Sequence, residues 1–140
     1  MRYQVIYFTR TGNSKRVAQK IATKLNVDPI QISDHQRWEG FIGYMRAGFF
    51  SMTNKRVKIT VDHDVDPDAT LIVVTPLWAG GIASATRAFL SQYEPSRVHL
   101  IITSIGSVLK NREGYLSVTD IIERSNHEDS QIETLINQFV

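Results

Sequence analysis

Cysteine is absent from the 140-residue chain, which excludes disulfides, thiol nucleophiles and cysteine-ligated metal centres together. Proline is scarce, at four residues, and no Pro-, Gly- or Ser-rich tract divides the sequence. Residues 1–140 are therefore expected to form one domain that buries about 70% of its unfolded surface. No apolar run approaches the roughly 18 residues of a membrane span. The apolar stretch in "MRYQVIYFTRTG" is too short for a signal-peptide core and no small-residue cleavage site follows, so the expected address is the cytoplasm. Charge of one sign is lacking too: 16 Lys and Arg against 14 Asp and Glu leave +2. The densest basic cluster, "NKRVK" (54–58), has no recognition motif beside it, so nucleic acid is not an expected partner.

Several chemistries lack their motifs. Residues 9–16 do not supply the Walker spacing G-x-x-x-x-G-K-[ST], and in "GYMRAGFF" (43–50) Phe49 and Phe50 stand where Lys and Ser or Thr are needed. No G-x-S-x-G elbow occurs. His35, His63, His99 and His127 are dispersed without metal spacing. "VDHDVDPDAT" (61–70) places Asp62, Asp64, Asp66 and Asp68 like the start of a calcium loop. Pro67 sits where that loop needs glycine and Val73 where it needs a bidentate Glu, so a solvated loop is expected.

What the sequence does contain is alternation. "RYQVIYF" (2–8), "DPIQIS" (28–33), "TLIVVTP" (70–76), "RVHLIITS" (97–104) and part of "YLSVTDII" (115–122) read as strands, the third and fourth as near-continuous apolar runs. Helical patterns fall between and after them, at Ser14–Leu25, Ala83–Tyr93 and "DSQIETLINQFV" (129–140). Phe41, Met45 and Phe49 recur at helical intervals within 41–52, with Tyr44, Phe50 and Met52 as a surplus for a docking patch. Such alternation predicts an α/β domain with a doubly wound, five-stranded parallel sheet and helices on both faces. These sheets bind ligands beyond the carboxyl ends of their strands. Three segments lie there: Thr9–Ser14, Pro76–Gly81 and Ser104–Ser107.

The first of these, T-R-T-G-N-S, offers hydroxyls at Thr9, Thr11 and Ser14, the Asn13 amide, and backbone N–H groups at the start of a helix. That is a small nest suited to a terminal monophosphate. The plainer alternative is that Ser14 caps the helix and Gly12 makes the turn. Trp78 likewise reads either as core or, flanked by Pro76 and two glycines, as an aromatic presented at a turn.

The T-x-T-G-x-S pattern resembles the phosphate loop of the flavodoxins. "TPLWAGGIASATRAFL" (75–90) looks like the second flavin loop of short members, in which Pro-x-Trp-x-Gly precedes a helix. "TSIGS" (103–107) stands where the third loop lies, and "GFIGYMRAGFFSMTNKRVKI" (40–59) resembles their second helix. The resemblance implies a flavodoxin-like fold and FMN as cofactor. Thr9, Thr11, Gly12, Asn13 and Ser14 would hold the phosphate, with Arg10 adding charge or facing solvent. Trp78 would lie against the isoalloxazine beside Pro76, Leu77 and Ala79, and Gly80 and Gly81 would let the backbone approach the ring. Ser104, Ile105, Gly106 and Ser107 would bond the pyrimidine edge. The third loop lacks the aromatic many flavodoxins carry there, and Tyr115 is the nearest replacement in sequence. The balanced charge also departs from the acidic surface usual in the family.

The implied function is electron transfer between a reductase and an acceptor protein, in a monomer or weak dimer with no catalytic residues of its own. The alternatives are an NAD(P)H-dependent quinone or FMN reductase of the same fold, a flavodoxin-like activator of ribonucleotide reductase, or a non-redox module.

Overall fold

Strand side chains alternate between two faces, and here both faces are apolar. In the first strand, β1 (Tyr3–Tyr7), Val5, Ile6 and Tyr7 are all buried, as a strand covered on both sides requires. The computed structural model describes residues 2–10, 12–33, 59–78, 81–104, 106, 108–110, 113–123 and 127–139. The elements that follow β1 are α1 (Asn13–Leu25), β2 (Ile30–Ser33), β3 (Thr60–Val61), β4 (Thr70–Trp78) and β5 (Gly81–Ile82). Next come α2 (Ser84–Leu90), a short 3-10 turn (Pro95–Arg97), β6 (Val98–Ser104), β7 (Ser117–Ile122) and α3 (Glu128–Phe139). The expected helix within 41–52, the basic cluster 54–58, His35 and Trp38 lie outside the described residues.

The strands run in the order β3-β2-β1-β4-β6-β7, with β5 paired to the end of β4. All pairings among β2, β1, β4, β6 and β7 are parallel. In chain order, the parallel strands are thus arranged 2-1-3-4-5, the doubly wound order whose switch point lies between its first and third strands. Five strands were expected, and the described sheet has seven. The two additions, β3 on β2 and β5 on β4, are antiparallel and two residues long. A period of two leaves no trace in so short a segment.

Two hydrophobic layers close the sheet. One joins Ile6, Ile32, Val73, Leu100 and Ile102 to Phe89 of α2. The other joins Val5, Ile72, Val74 and Ile101 to Val17 and Ile21 of α1 and Ile132 and Leu135 of α3. Each fully buried aliphatic side chain contributes about 1.5–3 kcal/mol relative to exposure. Alternate residues of one strand feed opposite layers, so helices sit on both faces. At its far end α1 stops at Asn26, whose φ of 58° is left-handed. There the Val27 N–H donates to the Ala22 carbonyl at 3.0 Å, closing the helix as glycine often does.

Candidate functional site

The winding brings the ends of β1, β4 and β6 together at the carboxyl edge of the sheet. At the first end the chain must turn from strand into helix within a few residues, and Gly12 makes that turn at φ +98°. A Cβ there would meet nothing within 4 Å, so dihedral freedom rather than room demands glycine. The Gly12 N–H donates to Thr9 Oγ1 at 2.9 Å. Its carbonyl accepts the first helical bond, from the Arg16 N–H at 3.0 Å.

The opening turn of α1 has no side-chain cap and no acidic residue. The N–H groups at the start of a helix have no acceptor within it and carry the positive end of its dipole. Two expected phosphate ligands have protein partners. Asn13 Oδ1 accepts from Arg16 Nη1 at 2.8 Å. Ser14, expected to turn its hydroxyl to the phosphate, is 1% exposed and shares a 2.8 Å hydrogen bond with Thr103 Oγ1. That bond ties the first loop to the end of β6. Thr103 was absent from the expected set because a threonine in an apolar strand looks like β-propensity alone. Thr9 and Arg10 are half-buried, and Thr11 lies outside the described residues.

The second segment differs from expectation. β4 does not stop at Pro76 but continues through Leu77 and Trp78, which pair with Ile82 and Gly81. Gly81, at φ +123°, begins the return strand. Trp78 is 7% exposed and meets Phe8 edge-on, with centroids 5.7 Å apart and planes at 73°. It belongs to the core beside Ile82, Ala83 and Leu109, so the expected open ring face is not presented. Antiparallel pairing with β5 holds the indole in that layer, which sequence spacing did not reveal. Pro76 and Leu77 are half-buried, while Ala79 and Gly80 lie outside the described residues. Beneath this segment Thr75 and Thr86, both fully buried, share a 2.7 Å hydrogen bond that locks α2 to β4.

In the third segment Ser104 is half-buried and Gly106 exposed, and Ile105 and Ser107 lie outside the described residues. Tyr115 does not replace the missing aromatic. The Leu116 N–H donates to the carbonyl of Val98, the first residue of β6, which puts Tyr115 at the amino edge. β6 runs from Val98 to Ser104, so its two ends lie about 20 Å apart along the strand. Tyr115 packs instead against the first layer, and burial pushes its phenol up.

An ion-pair network borders the first loop. Arg16 donates from Nη2 and Nε to Glu128 at 2.6 and 3.1 Å. Lys20 Nζ donates to Glu128 and Asp129, each at 2.7 Å. The hydrogen bond from Arg16, and then that from Lys20, pull the Glu128 carboxyl down to about 2.

In the acidic run Asp62, Asp64 and Asp68 are exposed, as expected of a solvated loop. Asp66 pairs with Arg2 and accepts the Asp68 N–H at 2.9 Å, while Asp62 accepts the Gln31 N–H at 2.9 Å. Among the described residues no group of three His, Asp or Glu side chains is placed to hold a metal. No helix among them is long and apolar enough to cross a membrane.

No protein-family description matches the chain, and no curated protein matches it. Solved structures do. A flavoprotein of Lactobacillus acidophilus, crystallised in complex with FMN, superposes with a TM-score of 0.69 at 17% identity, covering 95% of this chain and 97% of that one. A protein of Bacteroides eggerthii, provisionally assigned as a flavoprotein, matches with a TM-score of 0.69 at 15% identity over 95% and 96% of the two chains. Another such assignment, from Bacteroides uniformis, gives 0.69 and 15% over 92% and 96%. At these identities the likeness is one of fold. With its parallel order of 2-1-3-4-5 and helices on both faces, the chain has the flavodoxin-like fold.

Proposed function

We propose that this protein binds FMN non-covalently and passes electrons between a reductase and an acceptor protein. The observation that carries the reading is the opening of α1. At the switch point of the sheet, a left-handed glycine starts a 13-residue helix with no cap and no acid in its first turn, an arrangement suited to a phosphate dianion. That the Lactobacillus acidophilus flavoprotein was crystallised with FMN on the same fold supports the choice of ligand.

The residues fit the phosphate well and the ring in part. Thr9, Thr11, Gly12 and Asn13 would hold the phosphate, with Ser14 contributing its backbone N–H while its hydroxyl serves Thr103. The ring would lie between the β4–β5 turn and the loop after β6, touching Leu77 and backbone rather than the face of Trp78. When bound, the flavin supplies the electron chemistry, while the protein orients it and excludes water. Gly106 and Val108, close in sequence beyond β6, are exposed, Val108 at 52%. A ring edge held there would sit at the surface, within reach of a protein partner.

Titration with FMN, riboflavin and FAD tests the ligand. FMN should bind with micromolar affinity or better and the other two much more weakly; equal affinity for FMN and riboflavin discards the phosphate site. Steady oxidation of NAD(P)H by the loaded protein without a partner would replace the carrier with a reductase.

A further inference from the structure

An asparagine at a phosphate site is useful only with its amide the right way round. Its oxygen repels a phosphoryl oxygen and its NH2 donates to one. Among the described residues of the first loop, none fixes that choice for Asn13. The fixing group is Arg16, itself held from 112 residues further on, where Glu128 begins α3 and receives two hydrogen bonds from it. The third donor of the same guanidinium, Nη1, reaches Asn13 Oδ1 at 2.8 Å. The fork is rigid and planar, so the two bonds to Glu128 determine where the third can point. Lys20, bonded to both Glu128 and Asp129, holds the carboxylate in turn.

We infer that Glu128 is a positioning residue for phosphate recognition. Through Arg16 it holds the Asn13 amide with oxygen turned to the guanidinium and NH2 available to the anion. Arg16 is thereby an orienting group rather than the phosphate's counterion, its charge being matched by Glu128. This rests on the FMN reading above and names a selector of that same site. It also links the nest to the start of the last helix, so a displacement of α3 would be felt as a loss of phosphate affinity.

The relay and simple electrostatics predict opposite signs. As a negative charge near a phosphate, Glu128 should weaken FMN, and Glu128→Ala should tighten it. As the holder of Arg16, its removal should weaken FMN by about fivefold, the scale of one directed hydrogen bond, and leave riboflavin unchanged. In an Asn13→Ala background the further change Glu128→Ala should then do nothing to FMN affinity, because the two act in series.

The experiment measures FMN and riboflavin dissociation constants for wild type, Asn13→Ala, Glu128→Ala and the double variant, with thermal midpoints alongside. The charge-neutral Glu128→Gln, which retains an oxygen for Arg16, should recover most of the lost affinity. Tighter FMN binding in Glu128→Ala overturns the relay, as do equal losses for both ligands or additive losses in the double variant. If wild type itself fails to prefer FMN over riboflavin, the functional reading falls first and takes the relay with it.

Discussion

At the amino end of the sheet, described side chains satisfy one another across the chain; at the carboxyl end, buried hydroxyl pairs tie helices to strands. Around the amino end Arg2 pairs with Asp66, the Asp66 N–H donates to Gln4 Oε1 at 2.7 Å and Arg97 donates to the Ala69 carbonyl at 2.7 Å. The Tyr3 hydroxyl donates to the Phe139 carbonyl, and His99 joins Ser117 at 2.7 Å with its ring 4.6 Å from that of Phe139. At the carboxyl end the hydroxyl pairs Ser14–Thr103 and Thr75–Thr86 point inward and brace the helices. Among the described residues, that end also carries a left-handed glycine and a helix start. A groove of about 810 Å³ lies at the amino end, lined by Arg2, Gln4, Asn26 and Asp28 among others. Its border carries Arg2 and Gln4, polar groups already engaged.

Three substitutions or conditions sharpen this contrast, in order of expected effect. Trp78→Ala should remove about 3–5 kcal/mol of stability, as deletion of a buried aromatic does. Trp78→Phe should keep FMN affinity nearly intact, since the indole is in the core. Chemical denaturation with a parallel flavin titration checks both, and a selective loss of FMN in Trp78→Phe would return Trp78 to the ring.

Next comes the brace. Ser14→Ala strands the Thr103 hydroxyl in a buried site and should cost about 1–3 kcal/mol, whereas Ser14→Ala with Thr103→Val should cost less than the single change. Denaturant midpoints for the two variants decide it. A larger loss in the double variant would mean that the pair does more than satisfy itself.

The smallest effect is acid sensitivity, and the ends should differ in its window. Burial lowers His99 below its ordinary 6.5, so the unfolded chain takes up that proton first. The stability it contributes is complete above pH 6.5 and declines as pH falls below it. Glu128, held at about 2 against an ordinary 4.5, contributes stability above pH 4.5 that is lost as pH falls toward 2. Its cationic partners are 47% and 38% exposed, so screening limits the contribution to about 0.2–1 kcal/mol. Stability measured against pH should lose its upper limb in His99→Phe and its lower limb in Glu128→Gln. Identical curves would mean that neither end controls acid unfolding.

Much of the fold was legible locally. The apolar runs 70–76 and 97–104 could bury both faces only in a covered parallel sheet, and the amphipathic pattern of 14–25 could be only a helix. The turn between β1 and α1 was legible for the same reason: a lone glycine between strand and helix is a backbone signal, and Gly12 adopts the positive φ that signal implies. What stayed hidden depends on pairing across the chain. β5 is two residues long and exists only because β4 runs on to receive it. That extension, not the glycines flanking Trp78, put the indole into the core. Sequence proximity suggested Tyr115 for the ring, but β7 runs parallel to β6, so a residue just before β7 must lie at the opposite edge from one just after β6. Periodicity and turn chemistry fixed the elements, because each acts over a few residues. The partners of Ser14, Asn13 and Arg16 lie 89, 3 and 112 residues distant, and the two long-range ones were decided only when the winding order brought β6 and α3 against α1.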